Sequence, residues 1–275
     1  MHLEDFTLHP SGMAPYRIRM SAPQGTPPSS GWPLVILLGA EGFDIAMAQV
    51  RYHAACQPPG YINDAVLVSV DYPGASRRRL DYTPHGNTAP ANSPADAACP
   101  PEADQGGAPQ FLHFLQNMLI DAIESRAVFD KTRVTLAGHS LGGLFTLYAL
   151  FGNTPLFSSF IASSPSVWWG ERYLQRTALS YDPPADTPRR ELLITVGEYE
   201  QAVNPLEVRQ QRPNLAELER VRAQRAMIAG NREVARLLSS KPGLEVGFQV
   251  LPGQSHRSAW PLALHYGLMQ MLRNA

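Results

Sequence analysis

Charge and cysteine are both scarce in this sequence. Only 17% of its 275 residues are charged, and 23 basic side chains against 24 acidic ones leave a formal net charge of −1. Such a chain has no overall field with which to gather nucleic acid or an anionic membrane. No apolar run approaches the roughly 18 residues that would span a bilayer. The first residues, MHLEDFTLHPSG, lack the basic and apolar regions of an export signal. The expected compartment is therefore cytoplasmic, or periplasmic if a leader has been removed. The two cysteines, Cys56 and Cys99, form no CxxC pair and read as isolated thiols. A single Cys56–Cys99 disulfide is the alternative in an exported protein.

Apolar material, in contrast, is plentiful at 44% of residues, ample for a sizeable core. PYRIRMSAP alternates apolar and polar residues, as a half-exposed outer strand does. WPLVILLGA, DAVLVSVDYP, KTRVTLAGHS, SSFIASSPS, ELLITVGE and LEVGFQVLPG have nearly continuous apolar centres, the pattern of strands covered on both faces. Helical periodicity fills the intervals. In PQFLHFLQNMLIDAIESRAVF, residues Phe111, Leu115, Met118, Leu119, Ala122 and Ile123 share one face. LGGLFTLYALF, NREVARLLSSKPG and AWPLALHYGLMQMLRN read as further helices. The alternation predicts a single α/β domain over residues 1–275, a mostly parallel sheet with helices on both faces. Residues 84–109, rich in Pro, Ala, Asn and Gly, read as a long surface loop. A segment at about 201–230 breaks the rhythm and reads as a cap-like insertion containing the polar helix LAELERVRAQRAMIAG.

The chemistry is concentrated in VTLAGHSLGGLF, residues 134–145. Gly138, His139, Ser140, Leu141 and Gly142 match the nucleophile-elbow pattern G-x-S-x-G, between a strand and an apolar helix as that pattern requires. A serine on so sharp a turn stands above the sheet at a helix N-terminus, where the dipole favours an oxyanion. Its hydroxyl needs a base. His139 adjoins Ser140, but neighbouring side chains at such a turn diverge, which gives His139 a structural role. His256, in LPGQSHRSAW after the last strand, has the position that the order Ser, acid, His requires. The acid then belongs after ELLITVGE, where Glu198 and Glu200 both qualify by position.

These residues resemble the putative-esterase (esterase D-like) branch of the α/β-hydrolases. GHSLGGLFTLYALF, SSPSVWWGERYL, LLITVGEYEQ and LPGQSHRSAWPLAL are most similar to the siderophore esterases of the enterobactin and salmochelin type. The resemblance implies an α/β-hydrolase fold and a serine esterase that forms an acyl-enzyme on Ser140, with His256 as base. Acids in the family commonly follow the strand-ending glycine by about three positions, which favours Glu200 over Glu198; some relatives work with a Ser–His pair alone. The oxyanion donors implied are the amides of Leu141 and of Glu41, with that of Gly42 as the alternative to Glu41. Glu41 lies in a turn reading LLGAEG where relatives show L-L-D-G.

On the substrate side, the run Arg77, Arg78 and Arg79 places a cation near the mouth of the site, with Arg78 as the expected anchor for an acidic or catecholate group. Trp168 is the expected aromatic wall, and Trp169 a core residue. The expected substrate is a small-molecule ester of the trilactone kind, and the chemistry requires no metal or organic cofactor. Rival readings on the same fold are a feruloyl-type esterase, a thioester hydrolase and an acyltransferase. A rival of another class is a catalytically inactive, ligand-binding α/β-hydrolase fold.

Overall fold

The computed structural model describes residues 2–56, 61–84, 104–210 and 212–274. Their eight strands form one sheet in the order β1-β2-β4-β3-β5-β6-β7-β8. β1 (His2–Leu8) pairs antiparallel with β2 (Tyr16–Ala22), which pairs antiparallel with β4 (Val66–Asp71). From β4 onward every pairing is parallel, through β3 (Trp32–Leu38), β5 (Phe129–His139), β6 (Ser159–Ser163), β7 (Arg190–Gly197) and β8 (Leu244–Leu251).

The continuous apolar strands serve two cores because successive side chains point to opposite faces. Leu34, Ile36 and Leu38 of β3 enter one core, shared with Phe111, Phe145, Leu174 and Val234. Val35 and Leu37 enter the other, shared with Phe43, Ala46, Leu264 and Leu268. The first face is covered by α3 (Ala108–Phe114), α4 (Ile120–Glu124), α5 (Leu141–Phe151), α6 (Tyr173–Ser180) and α9 (Met227–Ser239). The second is covered by α1 (Phe43–Ala54) and α10 (Ala259–Met271). A short helix, α2 (Arg78–Asp81), follows β4. Among the described residues no helix is long and apolar enough to cross a membrane.

Four local expectations change. β2 is not the outermost strand: the N-terminal segment, read only for an export signal, pairs along its whole length as an edge strand. β8 is half-buried rather than buried, because it forms the other edge of the sheet. Met118 is exposed while Phe114 and Ile120 are buried. The cause is a π-helical stretch, Leu115–Leu119, between α3 and α4; its wider turn shifts the phase of the buried face. The polar helix expected near 215–230 is two helices, α8 (Leu215–Arg225) and α9, separated at Ala226 with φ 49°.

Of the loop expected at 84–109, residues 85–103 lie outside the described residues, as does Cys99; helix α3 begins at Ala108. Cys56 carries a free thiol whose Sγ lies 3.2 Å from the Tyr52 carbonyl.

The parallel strands β3, β5, β6, β7 and β8 all end at one rim of the sheet. Just past those ends come Glu41, Ser140, Ser164, Glu200 and His256. An open α/β sheet holds its ligands at that rim.

Candidate active site

Ser140 sits between β5 and α5 with φ 61° and ψ −117°, a left-handed conformation that a non-glycine residue adopts only when its surroundings impose it. Three backbone hydrogen bonds do so. The Ser140 amide donates to the Ser163 carbonyl at 2.9 Å, while the Ser140 carbonyl accepts from Leu144 at 3.0 Å and Ser166 at 3.2 Å. The glycines make the turn sterically feasible. A Cβ on Gly138 would lie 2.3 Å from the Gly142 carbonyl oxygen, and one on Gly143 would lie 2.8 Å from the Ser163 carbonyl oxygen. A Cβ on Gly142 would meet only ordinary contacts, so after the serine it is Gly143 that has to be glycine.

The Ser140 hydroxyl reaches His256, in the loop between β8 and α10: Oγ lies 3.0 Å from Nε2. On the far side of that ring, Nδ1 lies 2.6 Å from Oε2 of Glu200. Glu200 is buried, and its second oxygen is occupied as well. Oε1 accepts from the Ser164 hydroxyl at 2.5 Å and from the Gly197 amide at 2.7 Å. A carboxylate removed from water needs such donors, because unpaired burial costs several kcal/mol. With Nδ1–H directed at Glu200, the Nε2 lone pair faces the serine.

The two glutamates after Gly197 therefore have different partners. Glu198 is exposed, and its Oε2 accepts from the Gly253 amide at 2.6 Å. Between them the Tyr199 amide donates to the Gln254 carbonyl at 2.9 Å. The run Glu198, Tyr199, Glu200 thus holds the loop Gly253, Gln254, His256 at three points. Gly197 permits this approach, since a Cβ there would stand 2.7 Å from the Gln254 carbonyl oxygen.

Leu141 is the first residue of α5, and the opening amides of a helix have no partner within it. Glu41 lies in a single helical turn, Ala40–Gly42, entered through Gly39 at φ 99°. Its carboxylate turns toward Arg78, with 3.3 Å between Oε1 and Nη1. Arg78 also donates from Nη2 to the His139 carbonyl at 3.0 Å, so it bridges the Glu41 turn and the elbow. The flanking arginines face elsewhere. Arg77 donates to the Ala14 and Pro15 carbonyls and lies over the rings of Tyr16 and Tyr72; Arg79 lies over Trp169. Trp168 is only partly buried and Trp169 is buried; the ring of Trp168 meets that of Trp169 and the guanidinium of Arg225 on α8.

Three contributors escape the sequence reading: Ser164, Trp260 and His139. Ser164, buried at φ 45°, donates to Glu200 from the SSPS turn after β6. The His139 ring does not diverge from the site. It lies 4.6 Å from that of His256 and 5.8 Å from that of Trp260, centroid to centroid. Burial first, then His256 and Arg78, push its imidazole down to about 2.

That shift has a consequence for stability. The unfolded chain takes a proton on residue 139 near the ordinary value of 6.5, which the folded chain refuses until about 2. The contribution is complete above pH 6.5 and is lost progressively as pH falls toward about 2. His139→Phe should therefore flatten the acid slope of stability below pH 6.5 in urea titrations. Equal slopes in both proteins would contradict this origin.

The chain matches the "Putative esterase" family over residues 13–268, a span that includes Ser140, Glu200 and His256. The ferri-bacillibactin esterase BesA of Bacillus subtilis is 32% identical over 195 residues, covering 68% of this chain and 66% of that protein. A siderophore triacetylfusarinine C esterase of Aspergillus fumigatus is 27% identical over 220 residues, with coverages of 72% and 68%. Among solved structures, the siderophore hydrolase EstA from Aspergillus nidulans is similar with a TM-score of 0.84 and 26% identity, over 98% of this chain and 93% of that one. The chain belongs to the "Putative esterase" family and is a carboxylic ester hydrolase with the α/β-hydrolase fold.

Proposed function

We propose that the protein hydrolyses its ester through an acyl-enzyme on Ser140, with His256 as general base and Glu200 as the acid that orients it. The observation that carries this reading is the unbroken relay from Ser140 Oγ to His256 Nε2 at 3.0 Å and from His256 Nδ1 to Glu200 Oε2 at 2.6 Å. The Ser140 proton passes to Nε2 as Oγ bonds to the ester carbonyl carbon, and the carbonyl electron pair moves onto oxygen. Collapse expels the alcohol, which leaves with the proton from Nε2. Water then repeats the sequence on the acyl-enzyme and frees the acid.

The Leu141 and Glu41 amides stabilise the oxyanion in this scheme. Leu141 does so from the positive end of α5. The Glu41 carboxylate would oppose the developing charge, but its ion pair with Arg78 directs it away and leaves the side chain 68% exposed. Only Arg78 of the arginine run is oriented toward the elbow, which supports it as the substrate anchor. Its side chain is 27% exposed, so an acidic ligand group can add to it while the pair with Glu41 is kept. Residues 201–230 act as a cap-like insertion whose α8 meets Trp168 through Arg225, and Trp168 forms the aromatic wall.

For the substrate we propose a siderophore-like trilactone or a related ester. The names of the relatives support this class, as does the Arg78 guanidinium held beside the elbow. A catecholate trilactone should give the highest kcat/KM in a panel with a feruloyl ester, an acyl thioester and short-chain nitrophenyl esters. Indifference among them would remove the trilactone claim and leave ester hydrolysis standing.

The two glutamates provide a second test. Glu200→Gln should lower kcat by up to about 10⁴, the loss recorded when a serine protease's triad acid is converted to its amide. Glu198→Gln retains an oxygen that can accept from Gly253 and should cost no more than about tenfold. Equal, small losses at both positions would favour a Ser–His dyad.

A further inference from the structure

His256 does not stand alone above the sheet. Its ring lies against that of His139, 4.6 Å between centroids at an interplanar angle of 41°. His139 in turn is stacked on Trp260 of α10, at 5.8 Å and 26°. The run of three rings is fixed at several points. His139 Nδ1 lies 3.1 Å from Ser163 Oγ, and the His139 carbonyl accepts from Arg78 at 3.0 Å. Trp260 is buried against the turn that carries Glu41, so closely that a Cβ on Gly42 would lie 2.8 Å from its Cζ2. Gly42 has an ordinary negative φ, so it is the Trp260 ring, not the backbone, that requires glycine there.

The esterase cycle makes His256 positively charged twice, each time it takes a proton from Ser140 or from water. A cation within about 6 Å of an aromatic centroid is attracted by the negative face of the ring. The neutral His139 ring, its centroid 4.6 Å from that of His256, lies within that reach. It is half-buried, with the His256 ring beside it and the Arg78 guanidinium on its own carbonyl, and a proton on it would be repelled by both charges. Trp260 holds the ring from behind.

We infer that His139 is a positioning residue whose ring, seated on Trp260, supports the imidazolium formed on His256. This rests on the assignment of His256 as general base. It adds a purpose for the residue between glycine and serine in the elbow, and it connects the base to the oxyanion turn through Trp260 and Gly42.

The test compares two apolar replacements. Both lose the bond to Ser163 and both fill the site, but only one keeps a ring face. His139→Leu should lower kcat on a nitrophenyl ester by roughly 2–30-fold, the range of a cation over an aromatic ring, with KM unchanged. His139→Phe should recover most of that loss. Equal kcat in the Leu and Phe variants, or wild-type kcat in the Leu variant, would overturn the inference. If neither variant folds, Trp260→Leu reads the same stack from its other end, leaving His139 in place but unsupported. It should lower kcat at constant KM, and wild-type kcat there would overturn the inference. His256→Ala separates this from the general mechanism. An inactive His256→Ala enzyme with equal Leu and Phe variants rejects only the role of His139. A fully active His256→Ala enzyme rejects the base assignment and this inference together.

Discussion

The Glu200 carboxylate is the point on which the site depends. It is buried among residues from three separate elements and has one hydrogen-bond donor from each: Ser164 after β6, Gly197 at the end of β7 and His256 after β8. An uncompensated carboxylate there would be prohibitively costly, so the three elements must come together for the acid to be buried at all. The histidine is oriented by the same arrangement. Its Nδ1 meets Glu200, its Nε2 meets Ser140, and its ring lies against His139.

Strain and support coincide along the same rim. Ser140 and Ser164 both hold positive φ, at 61° and 45°. Each is tied down by a neighbouring strand end, Ser140 through the Ser163 carbonyl and Ser164 through the Thr195 carbonyl. The SSPS turn therefore serves Ser140 and Glu200 together, fixing the backbone of one and the carboxylate of the other. Rigid strand ends are well suited to this, because an active site must hold its groups within a fraction of an ångström.

Much of this was legible in the sequence. The strand–GHSLG–helix context specified the sharp turn at Ser140, and chain order pointed to Glu200 and His256 after the strands that follow, the two side chains that the fold brings to Ser140. What sequence could not separate was Glu198 from Glu200, since both follow Gly197 and their difference lies in burial and partners. The resemblance to relatives chose Glu200. The role of Ser164 was invisible because a serine in a polar turn carries no periodic signal. The expected divergence of His139 fails because at this turn its ring folds back on that of His256. The phase of the helix around Met118 failed because a π-helical stretch has no compositional mark. Edge position misleads at both sides of the sheet: β1 carries no clear strand pattern, and β8 has apolar residues like those of a central strand although, among the described residues, one of its sides has no partner.

The central claim is that Ser140 is the activated nucleophile of this relay. Reaction with a fluorophosphonate followed by peptide mass mapping tests it most directly. The account predicts a single adduct, on the peptide containing Ser140, and no adduct when His256 is replaced by alanine. An adduct on another residue, or an intact folded protein that gives none, would contradict it.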